Sequence, residues 1–127
     1  MNRPARILSI EDNPQMSGII QLIFQREGHN VVGVAKGELG LELLRSLDPD
    51  VLLLDLMLPD IDGWEIYRQM KADKQLSQVP VIIVSARNEK QDALRGNHVI
   101  GNDLFIRKPF SIDELLTAVR NMLVNVE

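Results

Sequence analysis

The stretch VLLLDLMLPDIDG, Val51 to Gly63, runs four apolar residues straight into a carboxylate, Asp55, and then into a loop marked by Pro59 and Gly63. An apolar run of four bounded by turn formers reads as a fully buried strand. The charge at its end is costly to bury unless something pairs with it. Four other segments repeat the pattern: ARILSI (Ala5 to Ile10), NVVGV (Asn30 to Val34), PVIIVS (Pro80 to Ser85) and DLFIR (Asp103 to Arg107). Helical spacing fills the gaps. Met16, Ile19, Ile20 and Ile23 mark a first helix, opened by Asn13-Pro14 and closed at Gly28. Leu39, Leu43, Leu44 and Leu47 mark a second, stopped by Asp48-Pro49. Trp64, Tyr67 and Met70 suggest a third, and a fourth is expected over about Glu89 to Val99. Ser111 to Glu114 has the form of a capping box, after which Ile112, Leu115, Leu116, Val119 and Leu123 line one face of a last helix.

Five βα units in strict alternation predict an α/β fold, a parallel sheet with helices on both faces. Right-handed crossovers then bring the ends of strands one, three, four and five to one edge, where open sheets of this kind bind ligands.

The chain has 127 residues, of which 45% are hydrophobic and 25% charged, the size and balance of one domain with one core. The net charge is -4 and there is no basic stripe, so direct nucleic-acid binding is not expected. The absence of cysteine excludes disulfides and thiolate metal sites and agrees with a cytoplasmic location. The N-terminal MNRPARILSIEDN is no signal peptide, and no segment approaches the roughly 20 apolar residues of a bilayer span.

The strand ends deliver Glu11-Asp12, Asp55, Ser85-Ala86 and Lys108-Pro109 to the same edge. Each has an ordinary reading alone: acids favour the helix start that follows, serine starts turns, lysine sits on surfaces. Together they make three carboxylates against one lysine, a deficit of two charges that suits a hard divalent cation such as Mg²⁺. With that charge neutralised, Asp55 becomes approachable by an anionic phosphoryl donor, and aspartate is an established nucleophile for phosphoryl groups. Other motifs fail. Carboxylates after strand one would repel a dinucleotide, Gly33, Gly37 and Gly40 have the wrong spacing for GxGxxG, and no Walker lysine motif is present. Asp60, Asp62 and Gly63 do not make a calcium loop, because Leu58 and Gln69 would fall at its first and last ligand positions. His29 and His98 are isolated and read as surface or helix-end residues.

IEDN (Ile10 to Asn13), LLLDLMLPDIDG (Leu52 to Gly63), VSA (Val84 to Ala86) and GNDLFIRKPF (Gly101 to Phe110), in this order and at these separations, resemble the receiver domain of two-component response regulators over essentially the whole chain. The resemblance implies a flavodoxin-like three-layer fold with strand order 2-1-3-4-5 and one receiver domain over residues 1–127, with no effector domain in this chain. It implies that Asp55 is the phospho-acceptor and that Asp12, Asp55 and the Met57 carbonyl bind Mg²⁺, with Glu11 helping through water. Lys108 would pair with Asp55 and then with the phosphoryl oxygens, Ser85 would hydrogen-bond the phosphoryl group, and Phe105 stands at the family's switch aromatic. The Lys108-Pro109 bond is expected to be cis. Implied partners are a histidine kinase or histidine phosphotransfer protein upstream, and a downstream protein or effector domain on the face of helix four, strand five and helix five. LRGNHVIGN, Leu94 to Asn102, departs from the family pattern around helix four.

Two classes of function follow. The first is a phosphorylation-controlled switch that catalyses its own phosphoryl acceptance. The second is a constitutive interaction module of the same shape that is never phosphorylated; loss of an acid, of Asp55 or of Lys108 would favour it, and all are present. A flavin binder is a distant third, testable by the colour of the purified protein.

Overall fold

A computed structural model describes residues 4–126. The elements run β1 (Arg6–Ile10), α1 (Pro14–Arg26), β2 (Asn30–Val34), α2 (Gly37–Leu47), β3 (Val51–Leu54), α3 (Gly63–Ala72), a 3₁₀ turn (Leu76–Gln78), β4 (Val81–Ser85), α4 (Glu89–Leu94), β5 (Leu104–Arg107) and α5 (Ile112–Val126). The sheet is parallel throughout, in the order β2-β1-β3-β4-β5.

Side chains alternate across the sheet, and each set buries its own layer of helices. Leu8, Ile10, Leu52, Leu54, Val81 and Ile83 pack with Leu44 of α2 and with Trp64, Ile66, Tyr67 and Met70 of α3. Ile7, Val51, Leu53, Ile82 and Val84 face Ile20 and Phe24 of α1 and Leu115, Val119 and Met122 of α5. All four residues of β3 are buried, which is why its sequence is apolar without alternation. Each such side chain taken out of water contributes on the order of 1.5–3 kcal/mol.

Helix ends follow their local chemistry. Asn13 caps α1 through its side chain, with Pro14 in the first turn, and Gly28 takes a φ of 90° just past the end. Asp62 caps α3 and Asn88 caps α4 in the same way. At α5 the Glu114 amide donates to Ser111 Oγ at 3.0 Å.

Helix α4 differs from the expectation. It stops at Leu94 instead of continuing to Val99, because Gly96 turns to a φ of 84° and the Asn97 amide folds back onto the Asp92 carbonyl. Glycine enters that conformation without the steric cost other residues bear. The only buried residue of α4 is an acid, Asp92, and Leu94 is 88% exposed. Polar contacts to α3 hold the segment in place. Trp64 Nε1 donates to Asp92 Oδ2 at 3.0 Å, and the Ile100 amide donates to the Tyr67 hydroxyl at 2.9 Å.

A second buried polar group closes the opposite, amino-terminal edge of the sheet. Tyr67 donates to Asp103 Oδ2 at 2.7 Å, Lys71 Nζ lies 2.9 Å from the same oxygen, and the Val81 amide donates to Asp103 Oδ1. Burial, followed by the hydrogen bond to Asp103, raises the Tyr67 pKa well above its ordinary value.

His29 is a structural residue at this edge: its Nδ1 accepts from the Ala5 amide at 3.0 Å. Protonation would put a proton where that bond needs a lone pair. Burial lowers its pKa, against the pull of Glu27 and Asp50. The unfolded chain therefore binds this proton more readily than the native one, so the contribution is complete above the ordinary value of 6.5 and shrinks as pH falls from there through the native value. Over about pH 7 to 5 the parent protein should lose more thermal stability than His29→Gln, which accepts a hydrogen bond but does not titrate. Parallel melting curves for the two proteins across that range would mean that His29 does not couple to folding.

Candidate functional site

The four carboxyl-terminal strand ends meet as the topology requires. Glu11, directly after β1, and Asp55, directly after β3, are buried, whereas Asp12 is exposed. One ligand atom from each of the three lies within 4.8 Å of the others. Lys108, past β5, reaches into this group. Its Nζ lies 2.7 Å from Glu11 Oε1 and 3.2 Å from Asp55 Oδ2. The remaining oxygens turn to backbone amides: Met57 N donates to Asp55 Oδ1 at 3.1 Å and Asn13 N to Glu11 Oε2 at 3.1 Å.

The electrostatics follow from the geometry. Burial raises the Glu11 pKa; the bonds from Lys108 and Asn13 work the other way, and the Asp55 charge adds to the rise. Burial also works against the Lys108 charge, but the hydrogen bond to Glu11 and the charge of Asp55 outweigh it, so its pKa is raised and the ammonium persists. The site thus holds a fixed cation within a carboxylate group that exceeds it in charge.

Ser85 ends β4 fully buried. Its Oγ accepts from the Arg87 amide at 3.3 Å, its carbonyl accepts from the Lys108 amide at 2.9 Å, and its hydroxyl proton is left to donate. The Lys108-Pro109 peptide is cis. Phe105 on β5 is half-buried, its ring centroid 6.2 Å from that of Trp64. The Met57 side chain is 54% exposed.

Glu11, Asp12, Asp55 and Lys108 are therefore brought into one group, with Ser85 at the neighbouring strand end. Sequence reasoning missed Arg87, which follows β4 and grips the α3 cap, Nη2 to Asp62 Oδ2 at 2.9 Å. It also missed Asp60, whose two oxygens accept from the Gly37 and Glu38 amides. A signal for the second was present: Lys36 is a poor residue to open a helix, so the cap had to come from elsewhere.

The family model of the response regulator receiver domain matches residues 7–120. The chain is a response regulator receiver domain. Its family is that of the receivers of two-component signalling. This receiver is 34% identical over 118 residues to the DNA-binding dual master transcriptional regulator RpaA of Synechocystis, covering 93% of this chain and 48% of that protein. It is 31% identical to Protein PilH of Pseudomonas aeruginosa over 94% of this chain and 98% of PilH. Among solved structures it resembles the receiver domain of the sensor histidine kinase PA1611 of Pseudomonas aeruginosa, which has a magnesium ion coordinated in its active-site cleft. That likeness has a TM-score of 0.83 at 25% identity and covers 96% of this chain and 99% of that one. The receiver thus spans about half of RpaA and nearly all of PilH. Among the described residues no helix is long and apolar enough to cross a membrane.

Proposed function

We propose that Asp55 takes a phosphoryl group from a phosphohistidine on a histidine kinase or histidine phosphotransfer protein, and that the added charge switches the face of α4, β5 and α5 for a downstream protein or effector domain. The observation that carries this reading is Asp55 at the end of β3, with Lys108 Nζ at 3.2 Å and ligand atoms of Glu11 and Asp12 within 4.8 Å. Three carboxylates in excess over one lysine form an all-oxygen donor set that fits Mg²⁺, the ion found in the PA1611 receiver. Asp12 and Asp55 would hold it directly with the Met57 carbonyl, and Glu11 through water. The bound cation would supply charge neutralisation for the incoming phosphoryl oxygens.

In the transfer an Asp55 carboxylate oxygen attacks phosphorus, the phosphorus–nitrogen bond breaks, and its electron pair leaves with the histidine ring. Lys108 stands ready to follow the negative charge from the carboxylate to the phosphoryl oxygens. The Ser85 hydroxyl would be drawn toward the site to donate to one of those oxygens, and Phe105, half-buried against Trp64, would be the aromatic whose burial changes with the switch. The phosphoryl group adds about -1.5 to -2 charges and biases an existing equilibrium. In this reading the domain works in the cytoplasm through protein contacts, and its net charge of -4 argues against direct contact with nucleic acid or an anionic membrane.

Incubation with acetyl phosphate tests the reading. Intact-mass spectrometry should find one added phosphoryl group with Mg²⁺ present and none with the metal chelated. No uptake with Mg²⁺ would favour the unphosphorylated interaction module, and equal uptake without it would remove the metal from the scheme.

A further inference from the structure

Helix α2 begins without a cap of its own. Lys36 occupies its N-cap position in an extended conformation, and its side chain makes no capping hydrogen bond. The open amides are met from another part of the chain. Gly37 N donates to Asp60 Oδ1 at 2.8 Å and Glu38 N to Asp60 Oδ2 at 3.0 Å. One exposed carboxylate spends both oxygens on a neighbouring helix, and these bonds hold its pKa below the usual carboxylate range. The contact is close: a Cβ on Gly37 would lie 2.3 Å from Ile61 Cγ2 and 2.6 Å from Ile66 Cδ1.

Asp60 belongs to the loop between Asp55 and α3, the same loop that carries Met57. Met57 pairs with Asp62 across its base, and Asp12, Met57 and Asp60 line a single cleft. The apolar anchors of this loop are the half-buried Leu58 and Ile61, which pack against the core, and Asp60 is its polar tie to α2. Met57, Pro59 and Asp60 are exposed.

We propose that Asp60 is a positioning residue for the cation site: by capping α2 from a distance it fixes the loop that presents the Met57 carbonyl. The proposal rests on the reading of Glu11, Asp12 and Asp55 as a Mg²⁺ site. It assigns Asp60 no contact with the cation. Its carboxylate acts through the backbone between residues 57 and 61, as outer partners of metal ligands commonly do.

Amide chemical shifts of Asp12, Asp55 and Met57, followed against MgCl₂, read the affinity, and a metal-free melt reads the stability. Asp60→Ala should weaken Mg²⁺ about tenfold and lower the melting temperature. Adding Lys36→Ser gives α2 a cap of its own. In that double variant the melting temperature should recover while the affinity stays weak, a separation that a purely structural cap would not produce. Asp60→Asn keeps one acceptor, should fall between parent and Ala variant in affinity, and serves if the Ala variant does not fold. Equal affinity in the parent and the Asp60 variants overturns the proposal, as does joint recovery of stability and affinity with Lys36→Ser. If the parent's own resonances ignore MgCl₂, the cation site itself is refuted.

Discussion

The Asp55→Asn variant is expected to take up no phosphoryl group from acetyl phosphate, and to melt higher than the parent in metal-free buffer. Loss of labelling follows from chemistry: an amide oxygen is a far weaker nucleophile than a carboxylate and gives no stable acyl phosphate. The gain in stability follows from charge. Asp55 is 6% exposed and draws on Lys108 at 3.2 Å, but Glu11 competes for the same ammonium at 2.7 Å. The raised Glu11 pKa marks the crowding; burial is its first cause, and the Asp55 charge adds to it. Removing one carboxylate relieves two repulsions and loses one attraction, a net gain on the order of 1 kcal/mol. The asparagine oxygen can still accept from the Met57 amide, so the loop keeps its hydrogen bond. Melts with and without Mg²⁺, beside mass spectrometry, check both parts. Labelling of the variant equal to the parent would move the acceptor elsewhere. A lower metal-free melting temperature would mean that the Lys108 attraction outweighs the repulsions.

A higher metal-free melting temperature for Asp55→Asn would mark the site as a place where stability is given up for function. The metal-free domain holds like charges together, and the expected remedy is a cation. Mg²⁺ should therefore raise the melting temperature of the parent more than that of Asp55→Asn.

The parts legible in the sequence are those set by local pattern and topology. β2 and β3 begin and end where the apolar runs do, and β1, β4 and β5 are each one residue shorter than their runs, losing Ala5, Pro80 and Asp103. Strict alternation predicts a parallel sheet and so puts the carboxyl ends of all strands on one edge, while the order that makes β1 and β3 neighbours, and so brings Glu11 and Asp12 beside Asp55, came from the family resemblance. Pairings between distant segments were not legible. Asp92 looks like one more surface acid of a short helix until Trp64, 28 residues earlier, donates to it. Tyr67, Lys71 and Asp103 read as two helix residues and a strand start, yet they form one buried group. The end of α4 was misplaced for a related reason. The expected helix to about Val99 runs across Gly96-Asn97, where the chain turns out of the helix, and the segment beyond Leu94 is held to α3 by a polar bond from Ile100.

Gly63→Ala is the backbone substitution expected to cost most, because α3 starts in direct contact with the strand that carries Asp55. A Cβ there would lie 2.5 Å from the Asp55 carbonyl oxygen and 2.5 Å from Leu56 Cα. Both are main-chain atoms of a buried segment, so no side-chain rotation makes room. Alanine gains about 1 kcal/mol over glycine as a helix former. Overpacking against backbone costs about 3 kcal/mol or more, so the net loss should be about 2 kcal/mol. Gly33→Ala gives the contrast: its Cβ would lie 2.6 Å from Gln21 Nε2, the end of a flexible side chain that can swing aside. Chemical denaturation should show a clear drop in midpoint for Gly63→Ala and little change for Gly33→Ala. The drop should come with slower labelling at Asp55, since the only relief open to the alanine is to push α3 away from β3 and disturb the Met57 amide bond that orients the carboxylate. Equal midpoints for the two variants would mean that α3 can retreat without cost and that its contact with β3 does not hold the acceptor in place.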